Sequence, residues 1–170
     1  MSYRVGSGVD AHRLAPGRPL VLGGVRVDHD RGLEGHSDGD CASHALCDAL
    51  LGAAAAGDLG QHFPSSDARW RGASSSIFLR EAARLIGERG FQVENVDLTV
   101  IAQEPVLSPY AGAMQAQLAG WLGIAPGRVS VKFKSTDGLG ALGRAEGIAA
   151  QATVLLRERE PASDLPDRTS

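Results

Sequence analysis

The sequence predicts a single α/β domain, an α+β sandwich in which a mixed β-sheet carries helices on one face. Three observations lead there. Strand-like and helix-like runs follow in the order ββααβαββ, with no internal repeat and no linker between them. The 170 residues suffice for one domain with a real core and leave little room for a second. Hydrophobic residues make up 43%, enough for a core that needs neither disulfides nor a structural metal.

Arg4 to Val9 alternates as a half-buried strand does and runs into a turn at Asp10–His12. Leu20–Val27 is a second strand or hairpin arm, interrupted by a bulge or tight turn at Gly23-Gly24. The cap-rich Ser37-Asp38-Gly39-Asp40 opens a helix over Asp40–Ala56, closed by Gly57-Asp58-Leu59-Gly60. A second cap, Ser74-Ser75-Ser76, opens a helix from Ile77 to Arg89 with Phe78, Ala82, Leu85 and Ile86 as its apolar stripe. Val96–Ala102 reads as a strand, Pro109–Leu122 as a helix stopped by Gly123, and Val129–Lys134 and Ile148–Leu156 as the last two strands. The domain is expected over 1–157. Residues 158–170, with Pro161, Ser163, Asp164, Pro166 and Asp167, are expected to be disordered.

The net charge is −3 and no stripe of basic residues is present, which argues against a nucleic-acid or anionic-membrane surface. The start Met1-Ser2-Tyr3-Arg4 lacks an apolar signal core and no apolar run is long enough to span a bilayer. A cytoplasmic protein is expected. Cys41 and Cys47 fall six positions apart on one helix and read as small apolar residues rather than a disulfide.

The chemistry concentrates in two places. Asp10 and His12 sit two apart, so both side chains leave one face of an extended chain. With His44 from the following helix they make a one-carboxylate, two-imidazole set suited to Zn²⁺, leaving a fourth position open. Asp40, His44 and Asp48 recur every four positions on that helix, so the two carboxylates are placed to orient the imidazole. A hydrated polar stripe with a capping Asp explains the same spacing equally well. His36 and Ser37 precede the helix, where free backbone N–H groups favour an anion such as phosphate; an exposed loop histidine is the alternative. His29 and His62 have no such company and are assigned to surface or packing roles.

The second place is Lys132-Phe133-Lys134-Ser135-Thr136-Asp137-Gly138-Leu139-Gly140, which brings cations, hydroxyls, a carboxylate and glycines to a strand end. Such a loop can bind phosphate, with Asp137 sharing Mg²⁺ with phosphate oxygens; an ordinary strand-end turn is the alternative. It is not a P-loop, because the Gly-x4-Gly-Lys-Ser/Thr spacing is absent. Nor is Gly6-Ser7-Gly8 a dinucleotide fingerprint; its small residues instead permit close backbone approach.

These residues carry a resemblance. Gly8-Val9-Asp10-Ala11-His12, Leu22-Gly23-Gly24-Val25 and Gly35-His36-Ser37-Asp38-Gly39-Asp40 resemble the 2-C-methyl-D-erythritol 2,4-cyclodiphosphate synthase family. So do His44–Gly52, Gly57-Asp58-Leu59-Gly60, Ile101-Ala102-Gln103 and Gly143-Arg144-Ala145-Glu146-Gly147, in order along all but the tail. The resemblance implies conversion of 4-diphosphocytidyl-2-C-methyl-D-erythritol 2-phosphate to the cyclic diphosphate with release of CMP, in the non-mevalonate isoprenoid pathway. It implies a homotrimer assembled around the sheets, with active sites at subunit interfaces. Zn²⁺ would be held by Asp10, His12 and His44, and a second cation, Mg²⁺ or Mn²⁺, by Asp137. His36 and Ser135 would stabilise the transition state, Ser135 standing where the family often has Thr.

The resemblance places the methylerythritol part against Asp58, Leu59, Gly60 and the Phe63-Pro64-Ser65-Ser66-Asp67 loop, with Asp10, His12, His36 and Ser37 also touching substrate. Cytidine would lie against Ala102, Pro105, Leu107 and Ser108 and against Lys134, Ser135, Thr136 and Asp137. Ala141 and Arg144 would line the neighbouring trimer-axis region. Ser65 stands where many members carry Asp, and Ala141-Leu142 replaces a frequently aromatic position. Two other functions fit the same ligands. A zinc-dependent phosphohydrolase would use them to activate water and yield an open-chain phosphate. A non-catalytic trimeric scaffold would bind metal and nucleotide without needing the Ser135–Asp137 loop.

Overall fold

Residues 2–159 are described in a computed structural model of the chain. The main sheet has the strand order β4-β1-β7-β5-β6, built from β1 (Tyr3–Pro16), β4 (Arg31–Leu33), β5 (Phe91–Ile101), β6 (Val129–Lys134) and β7 (Gly147–Glu158). The β5–β6 pair is parallel and the other three are antiparallel, so the sheet is mixed as expected. Helix α1 (Cys41–Ala53) lies on β1 and β7, and α3 (Ser75–Glu88) and α4 (Ala111–Leu122) complete the same layer.

Alternation of burial along the strands shows why the helices choose one face. Ile148, Ala150, Ala152, Val154 and Leu156 of β7 are buried under the helices, while Gln151 and Thr153 between them are exposed. The other face of β1 carries Val5 and Val9, 70% and 65% exposed in this single chain. Close helix–sheet contact depends on two glycines. A Cβ at Gly6 or Gly8 would lie 2.1 Å from the carbonyl oxygen of Ala49 or Ala45, so the strand meets the α1 backbone directly there. The close approach expected of Gly6-Ser7-Gly8 is thus realised.

Several boundaries differ from the sequence reading. β1 continues through Asp10 and His12 to Pro16, because β7 pairs with it from Tyr3 to Arg13; the expected turn is strand. Leu20–Val27 is a separate two-stranded hairpin of β2 (Leu20–Leu22) and β3 (Val25–Val27), turned at Gly23 and Gly24, which both have positive φ. β4 and the short helices α2 (Leu59–His62) and α5 (Gly140–Gly143) have too few residues to show a period. At the far end, Glu158 still pairs with Phe91, and the Arg159 N–H donates to the Gly90 carbonyl at 2.7 Å. The boundary expected at 157 therefore falls inside β7, and residues 160–170 of the expected tail lie outside the described residues.

Cys41 and Cys47 are buried and free, and burial pushes both thiols well above their usual range. They behave as the small apolar residues expected.

Candidate active site and metal centre

Asp10 and His12 project from the helix-facing side of β1, and His44 reaches them from the first turn of α1. Asp10 Oδ2 lies 2.8 Å from His12 Nε2 and 3.0 Å from His44 Nδ1, and the two ring nitrogens are 3.3 Å apart. Metal–ligand bonds of about 2.0–2.1 Å in tetrahedral geometry separate donor atoms by about 3.3 Å, so the three atoms present one face of such a shell. Among the described residues, this is the group of His, Cys, Asp and Glu side chains whose donor atoms converge enough for a metal ion.

The electrostatics agree. Burial pushes the Asp10 carboxyl up, but hydrogen bonds and charge from His12 and His44 outweigh it and hold the group far below the usual carboxylate range. Burial pulls His44 down, while the Asp10 hydrogen bond and charge raise it further, so the net shift is upward. Each group favours the charged partner that a cation would replace.

The other side of the His44 ring is also engaged. Nε2 lies 3.1 Å from Ser37 Oγ and 3.0 Å from Ser75 Oγ, and the Ser75 hydroxyl donates to Asp38. The orienting role expected of Asp40 and Asp48 goes elsewhere. Asp40 accepts from the Gly23 and Gly24 N–H groups at 2.9 and 2.7 Å and from Ser43 N–H and Oγ–H at 3.0 and 2.7 Å. It therefore caps α1 and pins the β2–β3 turn, and burial pushes its carboxyl up. Asp48 accepts from the Leu59 N–H at 2.7 Å and anchors the start of α2 at the cleft edge. Arg18, which the sequence did not flag, donates to the Gly35 and Ser37 carbonyls and holds the strand of loop that carries His36.

A cleft of about 360 Å³ opens from the triad. Its lining unites Asp10, His12, His36, Ser37 and His44 with Leu59, Gly60, Phe63 and Ser65, all expected site residues. Phe78 and Trp70 complete an aromatic wall with Phe63, at ring separations of 4.7 Å (Phe63–Phe78) and 5.2 Å (Phe63–Trp70). In the sequence Phe78 reads as part of a helix's apolar stripe, and nothing singles out Trp70. His36 Nε2 and Trp70 Nε1 are buried without a hydrogen-bond partner among the described residues. Pro64, Ser66, Asp58 and Asp67 do not line the cleft. The carboxylate of Asp58 caps α2, and that of Asp67 accepts from the Arg69 N–H and guanidinium, whose hydrogen bonds hold it below its usual range.

A second, smaller cavity of about 190 Å³ gathers Ala102, Pro105, Leu107 and Ser108 with Lys134 and Ser135, again expected site residues, plus Gln103, Val106 and Phe133. Thr136 and Asp137 lie just beyond, in an exposed loop where Ser135 Oγ–H donates to Asp137 at 2.9 Å. Gln103 Oε1 accepts from the Gly138 N–H at 3.2 Å and ties that loop to the 102–108 segment. Ala141 sits on α5, and Arg144 forms an exposed ion pair with Glu146; both are away from the two cavities.

The register fixes how far apart the halves are. Ala11, Ala149, Ile101 and Lys134 form one row across four strands. Three strand spacings put the triad's strand and the Ser135–Asp137 loop roughly 14 Å apart in one chain.

Comparison with known proteins places the chain in a family. Residues 3–157 match the YgbB family. The chain belongs to the YgbB family. The "2-C-methyl-D-erythritol 2,4-cyclodiphosphate synthase" of Laribacter hongkongensis is 57% identical over 159 residues, covering 94% of this chain and 98% of that protein. The Cupriavidus necator protein of the same name is 60% identical over 153 residues, covering 90% of each. A solved 2C-methyl-D-erythritol-2,4-cyclodiphosphate synthase in a CDP-bound form is 42% identical with a TM-score of 0.84, covering 91% of this chain and all of that one. The bifunctional IspDF of Campylobacter jejuni reaches a TM-score of 0.91 at 39% identity; the match covers 94% of this chain and 43% of that longer one. The resemblance read from the sequence motifs is therefore borne out, as is the mixed α/β class. Among the described residues no helix is long and apolar enough to cross a membrane.

Proposed function

We propose that the chain catalyses intramolecular phosphoryl transfer, converting 4-diphosphocytidyl-2-C-methyl-D-erythritol 2-phosphate to 2-C-methyl-D-erythritol 2,4-cyclodiphosphate and CMP. The names of relatives at 57% and 60% identity support it. The observation that carries it is the convergence of Asp10 Oδ2, His12 Nε2 and His44 Nδ1 at the mouth of a cleft. Such a reaction belongs to a cytoplasmic step of the non-mevalonate isoprenoid pathway.

In the reaction an oxygen of the 2-phosphate forms a bond to the β-phosphorus, and the bond from that phosphorus to the CMP oxygen breaks. A phosphate held in line is already a competent attacker, so no protein nucleophile is required. Asp10, His12 and His44 are the residues that would hold Zn²⁺, which when bound would supply Lewis-acid polarisation and charge neutralisation for the transferring phosphate. Asp137 is the residue that would hold Mg²⁺ or Mn²⁺, which would neutralise phosphate charge. We assign charge stabilisation on the transferring group to His36, which lines the cleft and has a buried Nε2 without a partner among the described residues, and to Ser135, whose hydroxyl lies in the loop. Phe63, Trp70 and Phe78 exclude water, whose attack on the β-phosphorus is the competing reaction.

The phosphates of one substrate lie only a few ångströms apart, whereas the two half-sites of one chain are separated by roughly 14 Å. A neighbouring copy that supplies the 102–108 and 134–137 segments removes the mismatch. The open sheet face with Val5 and Val9 offers the surface for that assembly. A homotrimer packed around its sheets is the arrangement we infer.

Incubation with the cytidyl substrate tests the reaction. A cyclic diphosphate with stoichiometric CMP supports the synthase; an open-chain phosphate product means a zinc phosphohydrolase, and no turnover a binding scaffold. Shared sites are tested by co-assembling His44→Ala and Asp137→Ala chains, each inactive alone. Random mixing in a trimer pairs an intact triad with an intact loop in roughly a quarter of the sites, so about that share of activity returns. No recovery in verified mixed trimers would place each site within a single chain.

A further inference from the structure

We propose that Ser75, held by Asp38, sets the tautomer of His44 and thereby makes its Nδ1 available as a metal ligand. The inference rests on reading the triad as a metal site and concerns what prepares it. A neutral imidazole carries one proton, and a metal ligand must carry it on the nitrogen facing away from the ion. At His44 the proton has two claimants. Asp10 Oδ2, 3.0 Å from Nδ1, favours the wrong nitrogen, although His12 Nε2 already engages that oxygen at 2.8 Å.

On the far side stands Ser75, fully buried, with Oγ 3.0 Å from Nε2. A hydroxyl has one proton, and Ser75 commits its proton to the Asp38 carboxylate, an obligatory acceptor when ionised. The Ser75 oxygen then offers only lone pairs to His44, so the ring proton belongs on Nε2 and Nδ1 is left bare. Asp38 holds this arrangement rigid, since its other oxygen accepts from the Ser75 backbone N–H at 2.7 Å at the start of α3. Ser37 Oγ also lies within reach of Nε2, at 3.1 Å. Nothing on Ser37 dictates whether its hydroxyl donates or accepts there. The polarity of the network therefore comes from Asp38 through Ser75. Both are positioning residues and neither meets the substrate cleft.

The test compares zinc affinity, by competition with a chelator, in the intact wild-type protein and in variants whose metal-free forms are shown by thermal melting to fold. Ser75→Ala is expected to weaken zinc binding roughly 10- to 100-fold, the usual cost of losing such an outer hydrogen bond. Ser75→Thr, which restores a hydroxyl, recovers the affinity, and Ser37→Ala weakens binding less than Ser75→Ala does. Asp38→Asn reaches the same loss by a second route, because its amide NH₂ replaces an acceptor. In the Co²⁺-loaded protein the exchangeable imidazole N–H of His44 is visible by ¹H NMR in water. It persists in the wild type and Ser75→Thr and is lost to solvent exchange in Ser75→Ala. Unchanged zinc affinity together with a retained His44 N–H in Ser75→Ala would overturn the proposal. A wild-type protein that binds no zinc would overturn the metal reading instead, so the two failures are distinguishable.

Discussion

The triad and the 134–140 loop are assigned to one reaction but are built in opposite ways. Around the triad, His44 and the segments next to it are held from behind. His44 is 7% exposed and bonded on both ring nitrogens, Arg18 braces the His36 loop, and the neighbouring Asp40 accepts four hydrogen bonds. The loop has little behind it. Ser135, Asp137 and Gly138 are exposed, their bonds run mostly among themselves, and Asp137 adopts a positive φ of 51°. On the proposed reading, rigidity lies where a small ion would be gripped, and the open half would be completed by a neighbour and a substrate. The contrast predicts that damage to the first region reaches the fold, whereas damage to the second reaches only turnover.

The largest effect is expected at Asp40→Ala. Removing that carboxylate strands the buried Gly23 and Ser43 donors and the half-buried Gly24 N–H. Each buried orphan costs about 1–3 kcal/mol, so a total loss of about 2–6 kcal/mol should appear in urea unfolding. A loss below about 1 kcal/mol would mean that the region is less tightly determined than its hydrogen bonds indicate. Next comes removal of zinc from the wild type. At a hundredfold excess of free ion over its dissociation constant, zinc adds about 2.7 kcal/mol of stability, which chelation takes away. Withdrawal of magnesium under the same conditions should leave the melting temperature unchanged. His44→Ala is the corresponding mutation: a folded protein by circular dichroism, without retained zinc and with CMP release reduced on the order of 10³-fold. Full cyclisation by a zinc-free variant would remove the triad from the mechanism.

The same contrast explains what the sequence could and could not disclose. Asp10, His12 and His44 were legible because residue spacing maps directly onto the faces of a strand and a helix. The support behind them was not. Ser75 and Asp38 are 37 positions apart, and Ser75 sat inside a run that read as a helix cap. Local spacing holds no trace of such a pairing. Asp40 and Asp48 misled for the complementary reason. The i, i+4 rule brought them to one face with His44, but backbone N–H groups of the β2–β3 turn and of Leu59 claimed the carboxylates first. The hairpin at Leu20–Val27 and the strand identity of Asp10–His12 depend on pairing partners far along the chain, which periodicity does not report. The loop at 134–140 was singled out by its exposed residue types, which sequence displays directly and which do not depend on packing.

The smallest effect on stability, and the most direct probe of the open half, is expected at Asp137→Gly. Asp tolerates the left-handed conformation at a modest cost, and glycine removes that cost while adding freedom to the unfolded chain. The two changes oppose each other within about 1 kcal/mol, so urea unfolding should barely move and zinc content should stay at wild-type level. CMP release should nonetheless fall steeply, because the carboxylate assigned to the second cation is gone. Ser135→Ala should follow the same pattern more mildly, with turnover down about tenfold, stability within about 0.5 kcal/mol and metal content intact. Were Asp137→Gly to unfold the protein, the loop would be bearing structural weight after all and the division between a rigid half and an open half would fail. If it remained fully active, Asp137 would hold its strained position for a reason other than a metal. A stable, zinc-replete and inactive variant is the outcome that separates a residue kept for chemistry from one kept for the fold.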